Sequence, residues 1–312
     1  MYSLKTVIHQ APIRFYRWLF NLQPTDTKSS DNSLDPFRVS VFIFFHVACL
    51  AVFFVGFSYV ALALALGLYL VRMFFITAFY HRYFSHRAYK VSRPVRFLMA
   101  VAGCTAGQRG PLWWAGHHRH HHINSDTDDD PHSPDHGLLN SHMLWFLRKR
   151  NFPVMYSRVK DWARYPELKF LEHIDWIPFL LLGVACYSLG EFLHHSSLQL
   201  ETNGMQLLVW GFFISTVMLY HATYTINSLA HKYGKRRFNT NDDSRNNLLL
   251  ALITLGEGWH NNHHRYPHAT RQGFYWWEID ISYFLLFILH KLGIVQSLQP
   301  VPAAVYHEAE QR

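Results

Sequence analysis

Histidines occur in four short groups along this chain, and their spacing suggests metal coordination. Residues 117–122 read HHRHHH, which places five histidines in six positions. The His-x-x-His-His spacing of 118–122 recurs at 260–264, a His-x-x-x-x-His pair lies at 81–86, and Asn227 precedes His231 by four positions. Because positions i, i+3 and i+4 lie on one helix face, each triplet can aim three ring nitrogens at one point.

The candidate ligands number nine, and none of them is a cysteine. They are His81, His86, His118, His121, His122, His231, His260, His263 and His264. A single zinc ion takes three or four protein ligands, so this set predicts two metal ions with about four or five ligands each. Neutral imidazole suits iron, copper, nickel or zinc, so the ligands alone do not choose the metal.

The pair at 81–86 needs a special geometry. Five residues turn roughly 140° around an α-helix, so His81 and His86 do not share a stripe. They converge only if the helix ends between them or if they serve two metals. The triplet at 118–122, in contrast, leaves His117 and His120 on other faces of its helix.

Four apolar segments predict membrane spans that would position these histidines. They lie at about 39–57, 60–80, 176–196 and 205–229, each close to the 20 residues that cross a bilayer. Arg72 is the one charged residue between positions 39 and 80. We expect it to snorkel, to pair with backbone carbonyls, or to shape a buried cavity.

The basic residues predict the orientation of the chain. Lys and Arg number 5 in residues 1–38, 14 in 81–175 and 9 in 230–312, and the two short loops between paired spans hold none. The positive-inside rule therefore places both termini and every histidine group in the cytoplasm. This distribution accounts for the net charge of +8 without nucleic acid as a partner. Residues 1–22 are expected to form an interfacial amphipathic segment.

The motifs resemble those of the membrane fatty-acid desaturases, and among them the Δ9 acyl desaturases of the stearoyl-CoA desaturase type. The matching features are HxxxxH at 81–86, HRxHH at 118–122, NSxxH at 227–231 and HNxHH at 260–264. The resemblance implies an all-α integral membrane fold, with four transmembrane helices under a cytosolic helical cap that binds two non-haem irons. It also implies that the nine histidines are iron ligands and that Asn227 acts through a water molecule.

The implied activity is an O₂-dependent desaturation that inserts a cis double bond, at Δ9, into a saturated C16–C18 acyl chain. An unactivated methylene has no acidic proton, so its hydrogens must be removed by an oxidised metal centre rather than by acid–base chemistry. The corresponding organisation is a cytosolic or interfacial segment at 1–38, a desaturase domain at 39–295 and a short tail at 296–312.

Carboxylates close to the histidine groups are candidates for orienting the ligands. Metal-bound histidines normally donate their second N–H to a carboxylate or a carbonyl. Residues 126–130 contain four aspartates, and one glutamate precedes the second triplet. We expect Asp126, Asp130 and Glu257 to take this role, with a solvated acidic loop or a helix cap as the alternative for each.

Substrate contacts are predicted in two regions. The face of the second span behind His81 is expected to line an acyl tunnel through Leu70, Met73, Phe74 and Thr77. Animal acyl-CoA desaturases carry an Arg–Asp pair before the second histidine box, where this chain has Gly116 and His117. The later Arg–Lys pair of those enzymes has a counterpart in Arg148–Lys149. The head group stays open between CoA, acyl carrier protein and an intact membrane lipid, and we expect it to contact His117, Arg148 and Lys149.

Partners and competing functions complete the sequence-based expectations. Only about 48 residues follow His264, so we expect electrons from a separate protein such as a ferredoxin or cytochrome b5. The QRGPLWW segment at 108–114 resembles bacterial proteins and indicates a bacterial inner membrane. A membrane fatty-acid or alkane hydroxylase would use similar histidines, and a metal transporter is a more remote alternative.

Overall fold

The computed structural model describes residues 31–196 and 200–310, and this part of the chain is helical, without strands. The predicted amphipathic segment at 1–22 lies outside the described residues. We label the main helices α1 Pro36–Val55, α2 Tyr59–Ser85, α3 Arg93–Cys104, α4 Pro111–Asn124, α5 Pro166–His173, α6 Trp176–His195, α7 Gly204–Ser228, α8 Leu248–Ile253, α9 His260–Arg265, α10 Ile281–Lys291 and α11 Ala303–Glu310. Between α4 and α5 lie the short helical turns Pro134–His136, Asn140–Leu144, Trp145–Leu147, Lys149–Asn151, Tyr156–Arg158 and Lys160–Ala163.

Four of these helices are long and apolar enough to cross a membrane, within the described residues. They are α1, α2, α6 and α7, of 20, 27, 20 and 25 residues. The helix bounds lie within about three residues of the predicted apolar segments, except that α2 runs on to Ser85. Outward-facing aromatic side chains such as Phe53 and Phe54 are almost fully exposed, as expected where lipid tails replace water.

Two short polar residues begin the first pair of spans. The side chain of Asp35 accepts hydrogen bonds from the backbone N–H groups of Phe37 and Arg38, and Ser58 accepts one from Ala61. Such caps satisfy N–H groups that have no partner inside the helix. Pro36 occupies the first helical position, where its missing N–H costs nothing.

Arg72 joins α2 to α7 inside the bundle. It is buried and donates hydrogen bonds to the hydroxyls of Ser215 and Thr216 and to the carbonyl of Leu68. Of the roles expected for this residue, carbonyl pairing therefore occurs and snorkelling to the interface does not. The guanidinium binds two spans together within the membrane.

The C-terminal end of α2 is wound as a π-helix over Phe75–Ser85. In this winding the backbone bonds i to i+5, and the N–H of His86 donates to the carbonyl of His81 at 3.3 Å. The helix ends at Ser85, so both the local winding and the helix end bring the two side chains together. Their ring centroids lie 4.9 Å apart.

Helix α4 is anchored from both sides. At its start, the buried carboxylate of Glu172 on α5 accepts hydrogen bonds from the N–H groups of Leu112 and Trp113 at 2.9 and 3.3 Å. Near its end, Arg119 donates to Asp161 at 2.8 Å and to the Phe84 carbonyl at 2.7 Å. The helix that carries the first triplet is thus fixed against the end of α2.

Residues predicted as a short tail belong to the folded part of the chain outside the four spans, which is called here the cap. Val301 and Val305 are buried in a cluster with Phe238 and Phe274. The N–H of Gln299 also donates to the Ala88 carbonyl at 2.9 Å. The described part of 296–312 therefore packs onto the cap beside the histidine-bearing segments.

Candidate metal centre and acyl cavity

The nine predicted ligands converge in two clusters, between the π-helical end of α2 and helices α4, α7 and α9. In each cluster, one ring nitrogen from every member lies within 4.8 Å of the others. The first, called here cluster A, consists of His81, His86, His118, His122 and His263. The second, cluster B, consists of His121, His231, His260 and His264.

The expectation that each triplet aims three nitrogens at one point is wrong. His118 and His122 of α4 belong to cluster A, whereas His121 between them belongs to cluster B. Positions i+3 and i+4 diverge by about 100° around the helix axis, so the two directions can serve different centres. The second triplet divides the same way, with His260 and His264 in cluster B and His263 in cluster A.

Carboxylates contact the outer ring nitrogens of several members. Nδ1 of His231 lies 2.8 Å from Asp126, and Nδ1 of His121 lies 2.8 Å from Asp130. The carboxylate of Glu257 contacts Nδ1 of His81. The structure thus brings each of the three predicted carboxylates to a histidine of the clusters. A neutral imidazole that donates from Nδ1 keeps a lone pair on Nε2, which faces the cluster.

Sequence reasoning missed further residues with the same arrangement. Asp242 lies 2.8 Å from Nδ1 of His264, although it lies 22 positions away and outside any histidine motif. The buried Arg82 donates to Glu257 and to Asp280, and so fixes the carboxylate that contacts His81. A charged residue next to His81 was visible in the sequence, but its partners depend on tertiary packing.

The environment favours neutral imidazoles in most of the site. Burial lowers the pKa of His86, His118, His122, His260 and His263 well below the ordinary value. Burial also lowers the pKa of His264, to about 4, although Asp242 opposes the shift. For His121 the Asp130 carboxylate outweighs burial and raises the pKa. Neutral imidazole is the form that binds a metal.

The donor set fits a pair of metal ions. In cluster A, neighbouring Nε2 atoms lie at 2.8 Å for His86–His118, 3.0 Å for His118–His122, 2.9 Å for His122–His263 and 3.0 Å for His81–His263. Hydrogen bonds cannot account for all four contacts, because each Nε2 offers either one proton or one lone pair, whereas the Nε2 atoms of His118, His122 and His263 each lie in two contacts. Metal–nitrogen bonds of about 2.1 Å place adjacent ligands about 3 Å apart, which matches these distances.

An unpartnered nitrogen supports the same fit in cluster B. Nε2 of His264 is buried without a hydrogen-bond partner among the described residues, while its Nδ1 contacts Asp242. Nε2 of His231 faces Nε2 of His260 at 2.9 Å, and His231 already contacts Asp126 through Nδ1. A cation between these lone pairs would satisfy each of them.

Two histidines of the 117–122 run lie outside both clusters. His117 contacts the Pro153 carbonyl at 3.2 Å, and His120 contacts the Asp129 carbonyl at 3.0 Å. His132, which the sequence did not single out, contacts Asp130 on the side opposite His121 and packs 4.9 Å from the Trp145 ring. It also packs against His121 of cluster B, with ring centroids 4.3 Å apart.

An apolar cavity of about 440 Å³ leads to the clusters. This volume lies in the range typical of small-molecule sites. Its wall includes His118 of cluster A, and a smaller cavity beyond it is lined by members of both clusters, namely His81, His118, His121 and His260. Trp114, His118, Thr223 and Asn227 line both cavities. A chain that passes from the larger into the smaller cavity therefore lies against both clusters.

Comparisons with known proteins decide the family. Residues 56–281 match the sequence profile named "Fatty acid desaturase". The chain is 36% identical to the Delta-9 acyl-lipid desaturase 1 of Arabidopsis thaliana over 269 residues. The aligned residues cover 85% of this chain and 84% of that protein. This chain belongs to the fatty acid desaturase family. It is therefore an oxidoreductase of acyl chains and a membrane protein.

Two other relatives extend this similarity. The sn-1 stearoyl-lipid 9-desaturase of Anabaena variabilis is 33% identical over 261 residues, which cover 83% of this chain and 91% of that protein. The acyl-CoA 5-desaturase AL21 of Anemone leveillei is 34% identical over 279 residues, covering 88% and 82%. The family membership confirms the resemblance drawn from the histidine motifs.

The residues predicted to line the desaturase's acyl tunnel are only partly brought together. Met73 and Thr77 line the smaller cavity. Leu70 is 48% exposed, and neither it nor Phe74 lines either cavity. Leu70 points outward because α2 buries the face that carries Met73 and Thr77 against the bundle.

The predicted head-group residues also separate. His117 lines the larger cavity, whereas Arg148 and Lys149 do not. Arg148 donates to the Asn32 carbonyl at 2.8 Å, and Lys149 lies 2.9 Å from Asp31. The arginines that do line the cavity are Arg38 and Arg109, which both pack against the Phe152 ring.

Proposed function

We propose that clusters A and B each bind one iron ion, and that the desaturase inserts a cis double bond at Δ9 of a saturated C16–C18 acyl chain. The observation that carries this proposal is the cavity pair, because an apolar chain can reach a space bordered by nitrogen donors of both clusters. Asn227, which lines both cavities, contributes through a water molecule. The reaction consumes O₂, two electrons and two protons and releases two waters.

Bound iron would supply the oxidising chemistry that removes hydrogen from an unactivated methylene. The chain's own residues position the substrate and exclude water. Trp114 and Thr223 border the passage between the cavities, and the amide of Gln108 donates to the Thr223 hydroxyl at 3.1 Å. These fixed groups hold one carbon–carbon bond of the chain beside the clusters, and positioning of this kind lowers the reaction barrier.

The cellular location and the electron donor are proposed from the distribution of basic residues and from the similarity to relatives. The distribution of basic residues favours a cytoplasmic site, and we propose the bacterial inner membrane as its location. Electrons come from a separate donor protein such as a ferredoxin or cytochrome b5. The names of the relatives, which include 9-desaturases of acyl lipids, support the position of the double bond.

The test is a product assay with purified, iron-supplied protein in lipid nanodiscs. Stearoyl substrate, O₂ and a ferredoxin reducing system should yield an octadec-9-enoyl product, identified by gas chromatography and mass spectrometry of its dimethyl disulfide adduct. A hydroxylated chain as the main product would refute the proposed reaction. Purification with one zinc ion in place of two irons would refute the proposed metal content.

A further inference from the structure

The larger cavity reaches the lipid-facing surface between α1 and α6. Among the residues that line it, Val41 on α1 is 37% exposed and Leu180 on α6 is 49% exposed. Phe37, one turn before Val41, also lines the cavity and is exposed. Side chains that border the cavity are thus accessible from the side of the bundle. We call the gap marked by Phe37, Val41 and Leu180 the lateral opening.

The lateral opening is confined to one end of the two spans. Phe45 of α1 and Phe179 of α6 are buried and line the same cavity, with ring centroids 5.3 Å apart. Phe37 is the second residue of α1, and Leu180 is the fifth residue of α6. The opening therefore lies within the first two turns of both helices, where a bilayer changes from acyl tails to ester groups.

Polar donors line the cavity at the same depth. The guanidinium carbons of Arg38 and Arg109 lie 3.2 and 4.0 Å from the centre of the Phe152 ring. Nε of Arg38 and Nη2 of Arg109 are buried without a hydrogen-bond partner among the described residues. Asp175, 3.3 Å from Nε of Arg109, balances part of this charge. Buried donors without acceptors are costly, so an oxygen-rich group fits beside them.

We propose that the substrate is the acyl chain of an intact membrane glycerolipid, which enters sideways through the lateral opening. Its ester and head-group oxygens accept hydrogen bonds from Arg38 and Arg109, and its tail continues towards the clusters. This inference rests on the proposed function. A lipid needs no cytosolic site for a large soluble carrier, because its head group stays at the membrane surface while one chain turns into the protein.

The test uses a double variant that narrows the lateral opening and leaves the residues of both clusters unchanged. In nanodiscs that contain distearoyl phospholipid, the Val41→Trp/Leu180→Trp double variant should desaturate the lipid at least about tenfold more slowly than the wild type, because pocket obstruction on this scale costs one to two orders of magnitude. The matched control is Val47→Trp/Leu181→Trp, on the same helices at exposed positions that do not line the cavity. It should stay close to the wild-type rate.

Arg38→Gln should raise KM for the lipid with little change in kcat.

A crosslinking measurement tests lipid entry without relying on the rate of desaturation. A phospholipid with a photoreactive diazirine near the ester should crosslink to peptides of α1 and α6 that contain Val41 and Leu180. Crosslinking confined to other helices would overturn the inference, even if the double variant fails to fold. Equal lipid turnover by the double variant and its control would overturn it too, as would conversion of stearoyl-CoA but not of the lipid. Failure of the wild type on both substrates would instead contradict the proposed function.

Discussion

His121 and His122 are neighbours in the chain, with ring centroids 5.5 Å apart, yet their ring nitrogens belong to different clusters. Helix α4 therefore lies between two centres, and α9 repeats the arrangement with His263 and His264. Rigid helices that each supply ligands to both centres hold the distance between the centres constant. This geometry supports the proposal that two metals act on one substrate bond.

The shared helices predict how iron is lost in double variants. His118→Ala and His121→Ala should each abolish desaturation and lower the iron content from two per chain to about one. His118→Ala/His122→Ala removes two ligands of cluster A and should leave about one iron, whereas His118→Ala/His121→Ala should leave almost none. Iron would be measured by plasma mass spectrometry of purified protein. His120→Ala is the control and should retain both irons; equal losses in the two double variants would contradict the division.

Asp242 tests whether carboxylates outside the histidine motifs position the ligands. Asp242→Asn removes the charge beside Nδ1 of His264, so it should reduce iron affinity or activity by about 10–100-fold. Asp243→Asn is the matched control, because that side chain is exposed and pairs with Arg236. The measurement is iron retention during titration with a chelator, which separates a metal effect from a general loss of turnover. Equal retention in the two variants would remove Asp242 from the account.

The spans and the nine histidines could be predicted from the sequence, since both depend on local patterns. Long apolar segments identify α1, α2, α6 and α7, and fixed spacing identifies the histidine boxes. The division of each histidine triplet between two clusters could not be predicted. Sequence spacing places side chains on one face of a helix, but it does not show how many clusters that face contacts. The π-helical end of α2 could not be predicted either, because the five-residue spacing of His81 and His86 indicates only that a regular α-helix does not bring them together.

The residues that line the larger cavity come together only through tertiary packing, so sequence patterns did not identify them. Arg38 lies at the start of a predicted span and Arg109 between predicted helices, and only tertiary packing of these two segments against the turn at Phe152 brings both arginines together. His142 shows the same limit. It lies outside every histidine motif, but it contacts Ser228 and His221, each at 3.0 Å.

Arg82 should be among the most destabilising positions to change. It is buried between Glu257 and Asp280, so Arg82→Met leaves two buried carboxylates without their cation. Loss of one partner from a buried ion pair costs about 3–5 kcal/mol. The control, Lys149→Met, removes only the exposed pair with Asp31, and exposed ion pairs contribute little to stability. Thermal unfolding in detergent, followed by fluorescence-detected size exclusion, should show a clear decrease for Arg82→Met; equal melting temperatures would contradict the prediction.

Glu172 predicts a pH dependence of stability. Burial, reinforced by Asp175, raises its pKa from 4.5 to about 8 in the folded protein. The folded state therefore binds more protons than the unfolded state between these values, and stability falls as the pH rises through that range. Glu172→Gln should flatten this decline. Glu167→Gln on the same helix should not, because a hydrogen bond from Arg93 lowers the pKa of Glu167 to about 2, below the range tested. Melting temperatures of both variants between pH 5 and 8 provide the comparison.

The most direct test of the central claim is an iron-edge anomalous difference map of the purified desaturase. Two peaks are predicted, one among His81, His86, His118, His122 and His263, and the other among His121, His231, His260 and His264. Each peak should have ligands from both α4 and α9. A single peak, or a peak coordinated by all three histidines of one His-x-x-His-His triplet, would contradict the two-centre arrangement.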